Sequence, residues 1–160
     1  MLIRDATAED WAAVFPFFSA IVADGETYVY PDGLSSDEAR ALWHDGSHVV
    51  VAEVDGRVVG SAKAGPNRPG RGAHVATASF MVDPAARGAG VGRALGEHVL
   101  RWAAEQGFRA MQFNAVVESN TGAVHLWRSL GFRIVGTVPE AFDSRRHGLV
   151  GLHVMHRPLP

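Results

Sequence analysis

The chain has 160 residues, 47% hydrophobic and 20% charged, with a formal net charge of -2 and no cysteine. Such a length fits one ordinary domain with a single sizeable core, and the composition excludes a disordered chain. Without cysteine there are no disulfides, thiolate zinc sites or cysteine nucleophile. The basic residues are scattered, with no Lys/Arg stripe interleaved with aromatics, so no nucleic-acid partner is expected. No apolar run nears the ~20 residues that cross a bilayer. The opening "MLIRDATAEDW" lacks a secretory pattern, and the expected setting is the cytoplasm, away from membranes.

In chain order, a short apolar strand at Leu2 to Arg4 precedes "TAEDWAAVFPFFSAIVAD", a helix expected to be capped by Thr7 and kinked at Pro16. "SSDEARALWHDG" repeats the order of cap, acids, apolar residues and glycine stop, and predicts a second helix. "HVVVAEVDGRVVGSAKAG" holds two β-branched runs joined at Asp55-Gly56, a strong hairpin signal. After the turn "GPNRPGRG", "AHVATASFMV" reads as a buried strand running straight into a glycine stretch. A helix follows, with Val91, Leu95, Val99, Trp102 and Ala103 at helical spacing and Gly107 as its stop. A strand at Met111 to Val117, a helix from Asn120 to Leu130, a strand from Phe132 and a strand near Leu149 to His156 complete the order β-α-α-β-β-β-α-β-α-β-β. The expected fold is α/β: one domain spanning residues 1 to 160, a mixed sheet with helices packed on it.

The stretch "PAARGAGVGRAL" (residues 84 to 95) places Gly88, Gly90 and Gly92 at a strand-to-helix junction, where free amides and the helix dipole converge on an anion. A P-loop needs a lysine inside its glycine frame, and the chain's one lysine, Lys63, lies elsewhere. A dinucleotide fingerprint needs a third glycine where Arg93 or Leu95 stands. Alone, the glycines need be no more than a tight turn with close helix packing.

The frame Arg87-x-x-Gly90-x-Gly92 between this strand and this helix resembles the GNAT superfamily of acetyl-CoA-dependent N-acetyltransferases, whose signature is Gln/Arg-x-x-Gly-x-Gly/Ala in that position. "NTGAVHLWRSLGF" (residues 120 to 132) is similar to the family's second element, with Asn120, Ala123, Leu126 and Gly131-Phe132 in place. The resemblance implies acetyl-CoA as cosubstrate, with no metal. Amides of Gly88, Ala89, Gly90, Val91, Gly92 and Arg93 would hold the pyrophosphate, with Arg87 and Arg93 adding charge. The strand end Phe80, Met81, Val82 would pair with the pantetheine arm, and Asn120 would bond that arm from the far side. It also implies direct attack of an amine on the thioester, with a tyrosine as proton donor to the thiolate; Trp127 stands at that position and is expected to pack under the coenzyme, since an indole N–H is too weak an acid.

A narrower likeness is to phosphinothricin acetyltransferase and its bacterial relatives, carried by "GETY" to proline, "AGP", and "LGF" followed by "GT". Thr77 stands where that group has a glutamate regarded as base. Glu26, in "DGETYVYP", becomes the candidate catalytic and acceptor-site carboxylate; Tyr28 and Thr77 are further acceptor-site candidates, with Tyr30 beside them and Glu118 as a second carboxylate. His44 and His48 have helical ligand spacing, but Gly46 and Ser47 stop the helix between them. His153 and His156 fall on opposite faces of a strand, and His74 and His147 are candidate proton carriers near the cleft. The expected activity is acetylation of a primary amine on a small, amino-acid-like acceptor. Acetylation of a protein N-terminus or lysine, and a non-catalytic acyl-CoA-binding domain, stay open as alternatives. A homodimer is compatible with the family, although no residue pattern marks an interface.

Overall fold

The structure is a computed structural model describing residues 1–160. Its elements follow the expected order: β1 (Leu2–Asp5), α1 (Trp11–Asp24), α2 (Ser36–Trp43), β2 (His48–Val54), β3 (Arg57–Pro66), β4 (Val75–Val82), α3 (Val91–Glu105), β5 (Ala110–Val117), α4 (Thr121–Ser129), β6 (Arg133–Ser144) and β7 (Gly148–Pro158). One seven-stranded sheet runs β1-β2-β3-β4-β5-β7-β6. Every neighbouring pair is antiparallel except β4 and β5, which α3 joins as a crossover and so makes parallel.

Helices cover both faces of the sheet, which is why the Val49 to Ala52 stretch of β2 is apolar without a break. Val50 and Ala52 join the core under α3 and α4, while Val49 and Val51 join the core under α1 and α2. At the foot of the second core, the buried Trp43 indole donates to Ser61 Oγ at 2.9 Å, and that hydroxyl donates to Val50 O at 2.9 Å. Both buried donors of this Trp43–Ser61–Val50 relay therefore have an acceptor. The Asp55-Gly56 turn closes the β2–β3 hairpin with both residues at positive φ, 50° and 75°, as a tight turn of this type requires.

Helix ends differ in one respect from expectation. Ser35 and Glu38 cap α2 reciprocally, but Thr7 does not cap α1 with its side chain. Residues Ala8–Asp10 form a 3-10 turn, and α1 starts at Trp11. The reason is Asp10, whose carboxylate accepts the Thr7 N–H at 2.7 Å and both terminal nitrogens of Arg4 at 2.7 and 2.9 Å, drawing the first turn tight. Past Pro16 the helix continues to Asp24, where Gly25 at φ 70° ends it.

The Arg4 bonds hold the Asp10 carboxyl at about 2, below its ordinary 3.8. A depressed carboxyl stabilises the fold above its unfolded value, and that contribution is lost as pH falls through the folded value. Asp10→Asn therefore lowers the melting temperature at neutral pH. The gap from wild type closes as pH falls from 3.8 towards 2. Parallel thermal melts across that range check it, and a constant gap contradicts it.

Candidate active site

Two strands that part company create the site. β4 and β5 pair at Val75–Ala110 and Ala76–Met111 and nowhere beyond, so from Thr77 onward β4 has a neighbour on its β3 side alone. Phe80 turns its N–H and C=O into the gap, where both meet the Tyr28 hydroxyl. By strand alternation Ala78 and Val82 present their polar groups the same way, whereas those of Met81 face Ser61 on β3. Across the gap, β5 bulges between Phe113 and Val116, where its register against β7 slips and pushes Asn114 and Ala115 outward. The resulting cleft, of about 920 Å³, runs from the start of α3 past Trp127 to the loop after α1.

At the α3 end, the β4–α3 turn is built for free amides. Gly88 and Gly90 sit at φ 82° and 77°, and Gly90 is the residue preceding the first turn of α3. No acceptor in the chain takes the N–H of Gly88, Gly90, Val91, Gly92 or Arg93, while the Ala89 N–H is spent on Ala86 O at 3.3 Å. Five of the six expected amides therefore point outward at the positive end of a fifteen-residue helix. Arg87 is exposed and forms no ion pair. Arg93 is differently placed: its guanidinium reaches Ser129 Oγ at 2.6 Å and Glu97 at 3.5 Å, tying α3 to α4. As found, its guanidinium is engaged between α3 and α4.

On the far wall, the cleft-lining Asn120 accepts the Ala123 N–H through Oδ1 at 3.4 Å and so caps α4, which leaves its amide nitrogen without a partner in the chain. Trp127 lies 8% exposed beneath it, its ring 4.7 Å from Phe80 and 4.8 Å from Phe113. Thr27 Oγ1 and Ser119 Oγ are buried cleft-lining hydroxyls with no partner in the chain. Neither carries a sequence signal, since a serine or threonine in a loop ordinarily bonds nearby backbone.

Loop residues Gly25 to Leu34 close the opposite end. Glu26 accepts Ser144 Oγ at 2.6 Å through one oxygen and Arg146 N–H at 2.9 Å through the other. The Ser144 bond, foremost, holds its carboxyl below the usual range. Asp24 and Asp32 pair with Arg146 and Arg145, so the loop is zipped to the β6–β7 turn. Glu118 is likewise engaged, accepting the Gly151 N–H at 2.7 Å. Thr77 stands where β4 and β5 separate. It lines both the cleft and a polar cavity of about 540 Å³ on the α2 side of the sheet, walled also by Asp45, Lys63, Arg68, Ser79 and Asn114. Lys63 there is paired with Asp45 at 2.7 Å and stands over the Trp43 ring. Sequence reading missed this second cavity because its walls come from the α2–β2 and β3–β4 loops and from β3, β4 and β5, which share no motif.

The histidines divide. His147 lines the cleft, its N–H donating to Ser144 Oγ at 3.0 Å. His74 is exposed at the closed end of β4, where its carbonyl takes the Arg109 N–H, and it does not line the cleft. His44 packs edge-on against Trp11, and His48 stacks on Trp102 at 4.6 Å, so the pair does not share a site. His153 bonds Thr137 across β6–β7. No helix is long and apolar enough to cross a membrane.

Comparison with known proteins accounts for the arrangement. Three solved structures are alike over nearly the whole chain. A GCN5-related N-acetyltransferase from Kribbella flavida is 60% identical over 99% of this chain and 97% of its own, with a TM-score of 0.95. A ribosomal-protein-alanine N-acetyltransferase from Brucella melitensis is 30% identical over 99% of this chain and all 100% of its own, with a TM-score of 0.88. The third, a phosphinothricin acetyltransferase from Sinorhizobium meliloti in complex with AcCoA, is 27% identical over 99% and 88%, with a TM-score of 0.87. The family model for "Acetyltransferase (GNAT) family" matches residues 10–132, from the start of α1 to the end of the α4 turn. With the parted strands, the outward amides of α3 and the Asn120 cap inside that span, the chain belongs to the GNAT family of acetyltransferases.

Proposed function

We propose that this chain transfers an acetyl group from acetyl-CoA to the primary amine of a small, amino-acid-like acceptor. The observation that carries the reading is the parting of β4 from β5 next to the unpaired amides of α3. An extended amide-bearing arm can add to the open edge of β4 as a strand would, with its phosphates at the helix N-terminus. The Gly88, Gly90, Val91, Gly92 and Arg93 amides would hold the pyrophosphate, with Arg87 the nearby free cation. Asn120 would bond the arm from the α4 side through its free amide nitrogen.

Bound acetyl-CoA would supply a thioester carbonyl to a neutral amine: the C–N bond forms, the C–S bond breaks, and the amine's proton passes to the departing thiolate, which leaves as the thiol. Backbone N–H groups on the open edge of β4 would stabilise the charge that develops on the carbonyl oxygen. The amine would come from the opposite side, through the passage at Thr77 that leads to the polar cavity. Trp127 would floor the coenzyme site. Neither this tryptophan nor Thr77 offers an acid or base, so proton transfer falls to cleft water, with His147 as the titratable neighbour.

Glu26 takes a different part from the catalytic one its position suggests. With both oxygens bonded and its carboxyl depressed, it is an anchor for the acceptor loop. Glu26→Gln is therefore expected to reduce kcat by less than about tenfold, where loss of a general base costs about 100-fold or more. A loss of the larger size, with an unchanged melting temperature, makes Glu26 the base.

The zipped loop supports a small acceptor, since it covers the end of the cleft where a protein chain would lie. Similarity to a ribosomal-protein-alanine N-acetyltransferase supports the alternative, a peptide N-terminus. A panel of amino acids, polyamines and short peptides, read by thiol release from acetyl-CoA, tests both. Turnover on amino-acid-like amines with none on peptides is the expected result, and the reverse selects the alternative. Calorimetric binding of acetyl-CoA without turnover on any amine leaves an acyl-CoA-binding domain.

A further inference from the structure

One side chain holds the position on β4 where a paired strand would otherwise bond. The Tyr28 hydroxyl donates to Phe80 O at 2.6 Å and accepts the Phe80 N–H at 2.8 Å, satisfying both polar groups that this residue turns into the gap. The hydroxyl is aimed by packing: its ring stacks on Tyr30 at 5.4 Å and 4°, and stands edge-on to Trp43 at 6.4 Å. Both neighbours rest on the core under α1 and α2. The Tyr28 ring is thus aligned by the α1–α2 core.

The consequence rests on the coenzyme reading above. An arm that extends β4 needs the N–H and C=O of alternate residues, and in the parted segment these belong to Ala78, Phe80 and Val82. Phe80 is the middle one and is already bonded. We propose that Tyr28 is a placeholder for the acyl-coenzyme arm: its hydroxyl keeps the Phe80 pair satisfied in the free protein and yields it when the arm arrives. Tyr28 is then a positioning residue that couples the two substrate sites. While Asp24 and Glu26 on one side and Asp32 on the other keep the loop tied to the β6–β7 turn, release at Tyr28 frees the stretch between them.

Tyr28→Phe keeps the aromatic stack and removes the hydroxyl, and it separates this idea from its alternatives. In the free variant, exchange of the Phe80 amide followed by NMR is expected to speed up tenfold or more, and addition of acetyl-CoA restores its protection. Calorimetry is expected to show acetyl-CoA binding about threefold to tenfold more tightly, because the arm no longer competes with an internal hydrogen bond. KM for the amine rises while kcat changes little, since the freed middle of the loop loses its aim. Unchanged or weaker coenzyme affinity in a variant that melts like the wild type overturns the placeholder and leaves the coenzyme reading standing. A wild-type protein that does not bind acetyl-CoA overturns both. Unaltered wild type gives an independent readout, because the chain has 2 tyrosines. In fluorotyrosine-labelled protein, the fluorine signal of Tyr28 shifts on saturation with acetyl-CoA, and a stationary signal overturns the proposal.

Discussion

Gly90→Asp is expected to weaken acetyl-CoA binding by about a hundredfold or more, about 2.7 kcal/mol, while the protein stays folded. Two features of the position make the effect large and local. A Cβ at Gly90 meets nothing within 4 Å, so the substitution introduces no clash. The residue's φ of 77° costs a side chain about 1 kcal/mol, and aspartate and asparagine are the residues that tolerate that region best. What remains is charge: a carboxylate set among outward amides competes for them and repels the phosphates they would hold. Gly90→Asn carries the same backbone strain without the charge and is the matched control. It should cost a few-fold in affinity, measured by calorimetry beside thermal melts of all three proteins. Equal losses in the Asp and Asn variants would remove the amides of α3 from coenzyme binding.

How far the sequence discloses such a site depends on whether the function lies in the backbone or in side chains gathered from distant segments. The amides of α3 are legible because a backbone conformation with positive φ needs glycine, and glycine spacing is visible in a sequence. The same holds for Asn120, since a cap is local to the helix it starts. Element order is legible for a related reason: β2, buried on both faces over Val49 to Ala52, carries the consecutive valines Val49, Val50 and Val51, and α3 keeps its apolar positions at helical spacing. By contrast, the placement of Arg93 against Ser129 is a contact between helices 36 residues apart, and no local pattern foretells it. Glu26 shows the same limit. Its bonds to Ser144 and Arg146 span more than a hundred residues, and only the fold turns a loop carboxylate into an anchor. The Tyr28–Phe80 contact is harder still, because a tyrosine hydroxyl bonding a strand's backbone mimics a strand pair that has no residue pattern.

Trp127→Ala is expected to destabilise the fold by about 3–5 kcal/mol, a substantial part of the 5–15 kcal/mol that holds a typical domain. The indole is 8% exposed and touches a cluster of rings, with Phe80, Phe113 and Phe132 centred 4.7, 4.8 and 6.2 Å away. It also fills the notch left by Gly96, where an added Cβ would come within 3.1 Å of the ring. Helices α3 and α4 therefore meet through a glycine and a tryptophan, and an alanine at 127 leaves a cavity that neither helix can close. A fall of roughly 10 °C or more in melting temperature is the corresponding observation. Trp127→Phe separates packing from chemistry, because it keeps a ring in the cluster and removes the N–H. Trp11 and Trp43 each donate that group to a serine, whereas Trp127 has no such partner, so its N–H is not needed by the fold. If Trp127 serves as the floor of the coenzyme site, the Phe variant retains kcat within about fivefold while losing a modest part of its stability, well under the cost of the alanine change. A hundredfold loss of kcat in a well-folded Phe variant would instead make the indole N–H a participant in the transfer, and the proton path would then run through α4 after all.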